Sequence, residues 1–212
     1  RDGLLLKKGD LHPYQGLKDI DLLVEGSATK LAMVLQKELG QQRITDLRIH
    51  HAYDTVAMTL DGVAIDLTTA RTETYKSPGY NPKITSSGLE QDLARRDFTI
   101  NAMAIDLSDG SLIDLHNGAK SIATRKLDFL HPASVEEDPT RVIRGARYAS
   151  RLNLDLTPKA RRQIQRTLKQ WPWVWTPGEP AKFAPPALRI RLRLELELLL
   201  TNEPWEKALT CL

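Results

Sequence analysis

Arg95-Arg96-Asp97-Phe98-Thr99-Ile100-Asn101-Ala102-Met103-Ala104 is the stretch from which the rest of the chain can be read. Two adjacent guanidiniums, a carboxylate and a carboxamide stand at the head of an otherwise apolar segment. There a helix N-terminus would present fixed charges to a polyanion. Such a set suits a ribose and a phosphate. It equally suits an N-capped surface helix with solvated arginines, so the choice rests on what the flanking sequence adds.

Upstream, residues 1–8 read as part of a helix and 9–18 as a loop carrying Gly9, Pro13 and Gly16. Asp19-Ile20-Asp21-Leu22-Leu23-Val24 then reads as a strand ended by Gly26, with Ser27 capping an amphipathic helix to about Leu39. Residues two apart on a strand share a face, so Asp19 and Asp21 point the same way. Carboxylates held side by side repel unless a divalent cation lies between them. A lone Asp-x-Asp also occurs in turns and surface pairs, but its apolar neighbours place this one in a buried strand. Short alternating segments follow near Arg48–His51, Thr55–Leu60 and Val63–Thr69, the last two joined by an Asp61-Gly62 hairpin turn. Asp66 falls where this pattern expects a core contact; a third carboxylate beside the pair and a capped strand end are both open. Residues 71–92, rich in Gly, Pro, Ser and Thr, read as a mobile loop with little fixed structure.

Downstream, Ala104–Leu107 and Ser111–Leu115 read as strands around Asp109-Gly110, and Gly118–Lys126 as a short helix. Asp138 stands as an N-cap with Pro139 at the first helical position of a helix to about Leu152. Arg141, Arg144, Arg147 and Arg151 line one face of it, a self-repelling stripe that phosphate or nucleic acid would relieve. A helix over Thr157–Gln170 follows, and then residues 171–187, whose five prolines and three tryptophans fit a linker or inserted loop. The tryptophan spacing suits packing against neighbouring helices. Leu188–Leu200 closes the chain as a Leu/Arg/Glu helix.

With 41% hydrophobic and 27% charged residues, the chain can bury a core. No stretch approaches the roughly 18 to 20 apolar residues of a membrane span, the first ten residues are too charged for a signal peptide, and the single Cys211 fits a reducing cytosol, so a cytoplasmic location is expected. Net charge is +3, yet Arg141–Arg193 holds ten Arg and three Lys against only Asp155 and Glu179. A basic half beside an acidic half suggests a polyanion held next to a carboxylate site.

Three segments occur in order: Asp19-x-Asp21, the stretch from Ala94 to Ala104, and Glu137 to Leu152. Together they resemble the class II tRNA nucleotidyltransferase and bacterial poly(A) polymerase family, over about residues 1–155. The resemblance implies an α+β fold, a polymerase-β-like nucleotidyltransferase head with a mixed sheet and helices over 1–116, followed by an all-helical neck over 117–212. The neck would bind nucleotide and RNA, and the family's body and tail are expected to be absent. It implies Mg²⁺ as cofactor, tRNA 3′ ends as partner, CTP and ATP as substrates, and addition of C and/or A by two-metal nucleotidyl transfer. Oligomeric state is not read from the sequence.

By the same resemblance Asp19 and Asp21 hold Mg²⁺, with Asp66 as the third catalytic candidate. Arg1 and Arg96 bind the incoming nucleotide, and Asp97 and Asn101 read its ribose. Asp138 and Arg141 read the base, supported by Arg144 and Arg147. Adenine and cytosine each present an amino donor beside a ring-nitrogen acceptor, which a fixed carboxylate and guanidinium match; guanine and uracil do not. Near Gly118 the family usually carries an acid where this chain has Ser121. The Gly-Arg-Arg-Phe stretch usual in the polyadenylating branch is missing from residues 44–48, and Arg71, Glu73 and Tyr75 keep the family's arrangement, which favours CCA or terminal A addition over CC addition. A-adding, CC-adding and poly(A) polymerase relatives stay open as alternatives, as does a catalytically silent RNA-binding relative; an Asp21→Ala substitution separates the last from an enzyme.

Overall fold

Ile20–Val24 (β1) and Val63–Thr69 (β4) pair in parallel, and Thr55–Leu60 (β3) and Ile44–His50 (β2) extend the sheet antiparallel in the order β1-β4-β3-β2. The computed structural model describes residues 19–211, so the expectations for a helix over 1–8, a loop over 9–18 and a role for Arg1 lie outside the described residues. Contacts divide the chain into two units: residues 19–73 with 84–92, and residues 74–83 with 93–211.

The first unit is the sheet with one helix on it. Ala28–Leu39 (α1) starts where Ser27 Oγ accepts from Lys30 N and ends at Gly40, whose φ of 83° lets its N–H return to Gln36 O. Its Ala28 and Ala32 pack on Ile44, Val56, Met58, Ile65 and Leu67. The β3–β4 hairpin turns at Asp61 (φ 48°) and Gly62 (φ 84°), the two positive φ values of a type I′ turn. β2 begins four residues earlier than the alternation from Arg48 predicts, because a bulge between Thr45 and Arg48 breaks the period.

Residues 71–92 carry more structure than their composition suggests. Arg71–Thr74 (β5) and Lys83–Ser86 (β6) pair, and Leu89–Ala94 (α2) follows. Thr72 Oγ1 donates to Thr85 O and Ser87 N to Ala70 O, so the Ser and Thr residues that read as loop-forming sit on a polar two-stranded ribbon.

The second unit is largely helical; the expectation of an all-helical stretch over 117–212 is corrected by one two-stranded pairing, Lys126–Leu127 with Asp155–Leu156. Two short strands, Ala104–Ile105 (β7) and Leu112–Ile113 (β8), pair first. Gly118–Ala123 (α3) comes next, and then Lys126–Leu127 (β9). Ser134–Glu137 (α4), Thr140–Leu152 (α5), Asp155–Leu156 (β10, parallel to β9) and Pro158–Gln170 (α6) complete the middle of the chain. A π-helical turn at Ala187–Arg191 leads into Leu192–Asn202 (α7), and Trp205–Thr210 (α8) follows. Phe98, Ile100, Leu127, Phe129, Val135 and Leu156 form the core, with Phe98 stacked on Phe129 at 5.1 Å and edge-on to Tyr148 at 5.6 Å. A Cβ on Gly118 would sit 2.5 Å from Thr99 O, so only glycine lets α3 begin there.

Residues 171–187 are fixed rather than loose. Trp173 is buried and donates Nε1–H to Glu136 O, Trp171 donates to Trp175 O, and the Trp171 and Trp173 rings meet edge to face at 5.0 Å. Gly79 lies against Trp173, its N–H bonded to Glu137 O and its carbonyl accepting from Ala187 N.

Candidate active site

Alternation along β1 sends Ile20, Leu22 and Val24 toward α1 and leaves Asp19 and Asp21 exposed on the opposite face. In the parallel ladder Asp21 is the register partner of Asp66, as Ile20 is of Ile65. Register partners share a face, so Asp66 joins the two aspartates, while Ile65 and Leu67 on either side of it are in the core. It is no strand end: Leu67, Thr68 and Thr69 continue the pairing. Its neighbour on the other side is Ala57 of β3, too small to cover it. Like charges abreast on neighbouring strands repel, and this register brings the anionic oxygens of Asp21 and Asp66 side by side. Among the described residues, no three His, Cys, Asp or Glu side chains converge closely enough to cage a metal by themselves.

The ends of β1 and β4 carry a second carboxylate feature that the sequence reading did not single out. Asp54, in the left-handed region at φ 43°, accepts from Thr29 N (3.1 Å), Thr29 Oγ1 (2.5 Å) and Thr69 Oγ1 (2.7 Å), and Thr69 Oγ1 in turn accepts from Ala28 N. Burial pushes its carboxyl pKa up, but the bonds from Thr29, Thr69 and Ser27 outweigh that and hold it at about 2. It thereby anchors the start of α1. An open cavity of about 610 Å³ lies beside it, lined in part by Ser27, Lys30, Tyr53, Arg71 and Ser86. Arg71 is engaged there by Glu73 at 3.1 Å and lies 5.4 Å from the Tyr53 ring centre. An aspartate directly before an alternating strand was the available signal.

In the second unit the Arg95 stretch follows a helix instead of starting one: α2 ends at Ala94, and only a 3₁₀ turn, Thr99–Asn101, comes after it. The reason is Asp97, which folds the backbone back on itself. Its Oδ1 accepts from Phe98 N (2.9 Å) and Asn101 Nδ2 (2.8 Å), and Arg96 Nη1 donates to Asn101 O at 2.9 Å. Asp97 Oδ2 accepts from Arg144 Nη1 at 3.1 Å.

The arginine stripe of α5 is met by carboxylates of this chain. Arg144 and Arg147 both bond Glu195 of α7, at 2.8 and 2.5 Å, and Arg147 and Arg151 both reach Glu203. Glu195 and Glu203 are buried. Burial works against the Arg144 charge, but Asp97 and Glu195 together raise its pKa well above the ordinary arginine value. The expectation that an external anion relieves this stripe is therefore corrected for Arg144, Arg147 and Arg151. Their acidic partners lie some fifty residues away in sequence, out of reach of any local pattern.

Asp138 and Arg141 are both buried at the start of α5, yet their side chains have different partners. The helix starts one residue later than expected, at Thr140 with Pro139 as its N-cap, but Asp138 Oδ1 still accepts from Thr140 N and Oγ1, and its Oδ2 accepts from Arg191 Nε at 3.1 Å. Arg191 also donates to Asn81 Oδ1 at 2.6 Å. Arg141 donates to Glu137 (3.3 Å) and Ser134 O (3.2 Å) and lies 3.4 Å from His131 Nε2. Burial and the Arg141 charge lower the His131 pKa to about 4, so its imidazole is neutral near pH 7. Asp114 caps α3 by accepting from Gly118 N and Ala119 N, and Ser121 Oγ accepts from Thr99 Oγ1. Among the described residues, no helix is long and apolar enough to cross a membrane.

A family profile described as poly A polymerase head domain matches residues 1–128. An A-adding tRNA nucleotidyltransferase of Aquifex aeolicus is 40% identical over 155 residues, which are 72% of this chain and 18% of that protein. A CC-adding tRNA nucleotidyltransferase of Deinococcus radiodurans is 36% identical over 154 residues, 71% of this chain and 40% of its own. Among solved structures, a CCA-adding enzyme in its apo form II aligns with TM-score 0.74 at 31% identity, over 91% of this chain and 43% of that one. A tRNA nucleotidyltransferase complexed with a primer tRNA and an incoming ATP analog aligns with TM-score 0.72 at 31% identity, over 92% and 51%. The chain thus spans about half the length of these relatives, or less.

Proposed function

This chain belongs to the class II tRNA nucleotidyltransferase family, whose head domain is shared with poly A polymerases, and on that footing we propose that it adds C and/or A from CTP and ATP to tRNA 3′ ends without a template. The observation that carries the reading is the register of Asp21 with Asp66, with Asp19 on the same exposed face. A protein that only bound RNA would gain nothing from that repulsion. The division of labour is a catalytic head over 1–116 and a nucleotide- and RNA-binding neck over 117–212.

The donor set fits Mg²⁺, which is commonly held by one or two carboxylates and completed by substrate phosphates and water, without a protein cage. Asp19 and Asp21 are the residues that would hold it; when bound, Mg²⁺ neutralises triphosphate charge and makes a 3′ hydroxyl more acidic. Asp66, beside Asp21, takes the proton from the primer 3′ hydroxyl. The 3′ oxygen bonds the α-phosphorus as the bond to pyrophosphate breaks, and pyrophosphate leaves.

Arg96 holds the incoming triphosphate, as does Arg1, and Asp97 with Asn101 reads the ribose. Asp138 accepts from the amino group of cytosine or adenine while Arg141 donates to the adjacent ring nitrogen. The contacts these two make with Arg191 and Glu137 support the reading by holding both side chains oriented before a base enters. Arg144 and Arg147, locked to Glu195, keep the helix that carries them in place.

A second reading, addition of A alone, is favoured by the A-adding names of three relatives at 33 to 40% identity. The test offers CTP, ATP or both, with Mg²⁺, to tRNAs ending before CCA, after C and after CC. Growth of all three with both nucleotides supports CCA addition. A single A on the CC-ended tRNA only supports the second reading. No incorporation on any of them, with RNA still bound, leaves a silent RNA-binding relative.

A further inference from the structure

The two basic helices of the second unit differ in how their charge is met. On Thr140–Leu152, Arg144, Arg147 and Arg151 are met by Glu195, Glu203 and Asp97. On Pro158–Gln170, Lys159, Arg162, Arg166 and Lys169 recur at i, i+3, i+7 and i+10, so they share one face, and all four are exposed. Ala160, Gln163, Ile164 and Thr167 form the buried opposite face. The helix contains no acid. Lys159 comes within 3.6 Å of Asp128, but among the described residues no carboxylate pairs with Arg162, Arg166 or Lys169.

This arrangement works against the helix that bears it. Arg162 and Arg166 are like charges at i and i+4, which weakens a helix, and Lys159 and Arg161 stand in a first turn where the macrodipole favours acids. The start is held instead by Thr157 Oγ1, which accepts from Ala160 N at 3.0 Å.

We propose that the face formed by Lys159, Arg162, Arg166 and Lys169 binds the sugar-phosphate backbone of the RNA substrate. Arg162 to Lys169 spans about 10 Å of helix axis, long enough to meet successive phosphates of one strand. Charge complementarity selects the partner. The core of a protein interface is apolar and rich in aromatic residues, whereas this face carries no aromatic residue and its members are all cationic. Backbone phosphates ask only for Lys and Arg, and such contacts position a nucleic acid without reading its sequence. Taking RNA as the nucleic acid rests on the proposed function.

The test compares the full chain with an Arg162→Gln, Arg166→Gln, Lys169→Gln variant, using an RNA hairpin with a single-stranded 3′ overhang as probe. Binding is measured from about 50 to 200 mM salt, alongside binding of CTP alone. The expected result is about a tenfold or greater loss of RNA affinity near 0.1 M salt and a salt slope shallower by about 2 to 3. CTP affinity and the far-ultraviolet dichroism of the fold stay unchanged, and hairpins of different sequence are affected alike. Unaltered RNA affinity and salt slope overturn the proposal. So does an acidic polypeptide that binds this face more tightly than the hairpin does. If the parent chain binds RNA in the predicted way but incorporates no nucleotide, the catalytic reading fails and this one stands.

Discussion

Arg147 and Glu195 meet at 2.5 Å with both side chains about nine-tenths buried, and Glu195 holds Arg144 with its other oxygen. A buried pair contributes little relative to a well-packed apolar pair, but removing one partner leaves charge without compensation. Glu195→Ala strands parts of two guanidiniums and is expected to destabilise the chain by about 3 to 5 kcal/mol. Urea unfolding of the variant checks it; a change under 1 kcal/mol would mean that water reaches the pair.

Asp66→Asn should move stability and activity in opposite directions. Removing one of two like charges in register relieves repulsion worth about 0.2 to 1 kcal/mol, so the midpoint of thermal unfolding rises or holds. If Asp66 is the proton acceptor, as proposed, its loss lowers nucleotide incorporation by about 100- to 10,000-fold. Parallel measurement of melting and single-turnover incorporation separates this from a folding defect, in which both would fall.

Asp54 gives the chain an acid-sensitive joint. Its folded pKa of about 2 lies below the model-compound value of 3.8, so its stabilisation is complete above the unfolded pKa and lost as pH falls from 3.8 toward 2. Asp54→Asn keeps a residue that tolerates the left-handed backbone but weakens the bonds to Thr29 and Thr69. The variant should be less stable at pH 7, and the gap from the parent should narrow below pH 3.8 and close near pH 2. A gap independent of pH, measured by denaturant titration, would assign the loss to packing.

Gly118→Ala tests the close approach of α3 to the turn after Asp97. The added methyl meets Thr99 O at 2.5 Å and the Met103 side chain at 2.7 Å, and such overpacking costs about 1 to 3 kcal/mol. A neutral result in thermal unfolding would show that the Thr99 turn can shift without loss.

The sequence made the alternation of β1, β4 and their hairpin legible because each strand buries one face and exposes the other, and the Asp61-Gly62 turn has a narrow conformational meaning. It placed Asp19 and Asp21 on one face for the same reason. That Asp66 stands abreast of Asp21 was not legible, since register between strands more than forty residues apart is a property of the assembled sheet. The stripe on α5 was visible and its meaning was not, because Glu195 and Glu203 arrive from a later helix. The ribbon of β5 and β6 was hidden by polarity: with burial slight on both strands, Ser and Thr residues there resemble a loop. Asp54 escaped because its partners, Thr29 and Thr69, come from two other elements.

The anchored tryptophans of residues 171–187 have a bearing on the unfolded chain. Ordering seventeen largely irregular residues would ordinarily forfeit a great deal of backbone freedom. Here five of them are prolines, whose rings restrict φ before folding begins, so the disordered ensemble has fewer states to give up. Trp173 and its bond to Glu136 O therefore have less entropy to overcome than the length of the segment implies, which is how an irregular stretch can stay fixed with so few hydrogen bonds of its own.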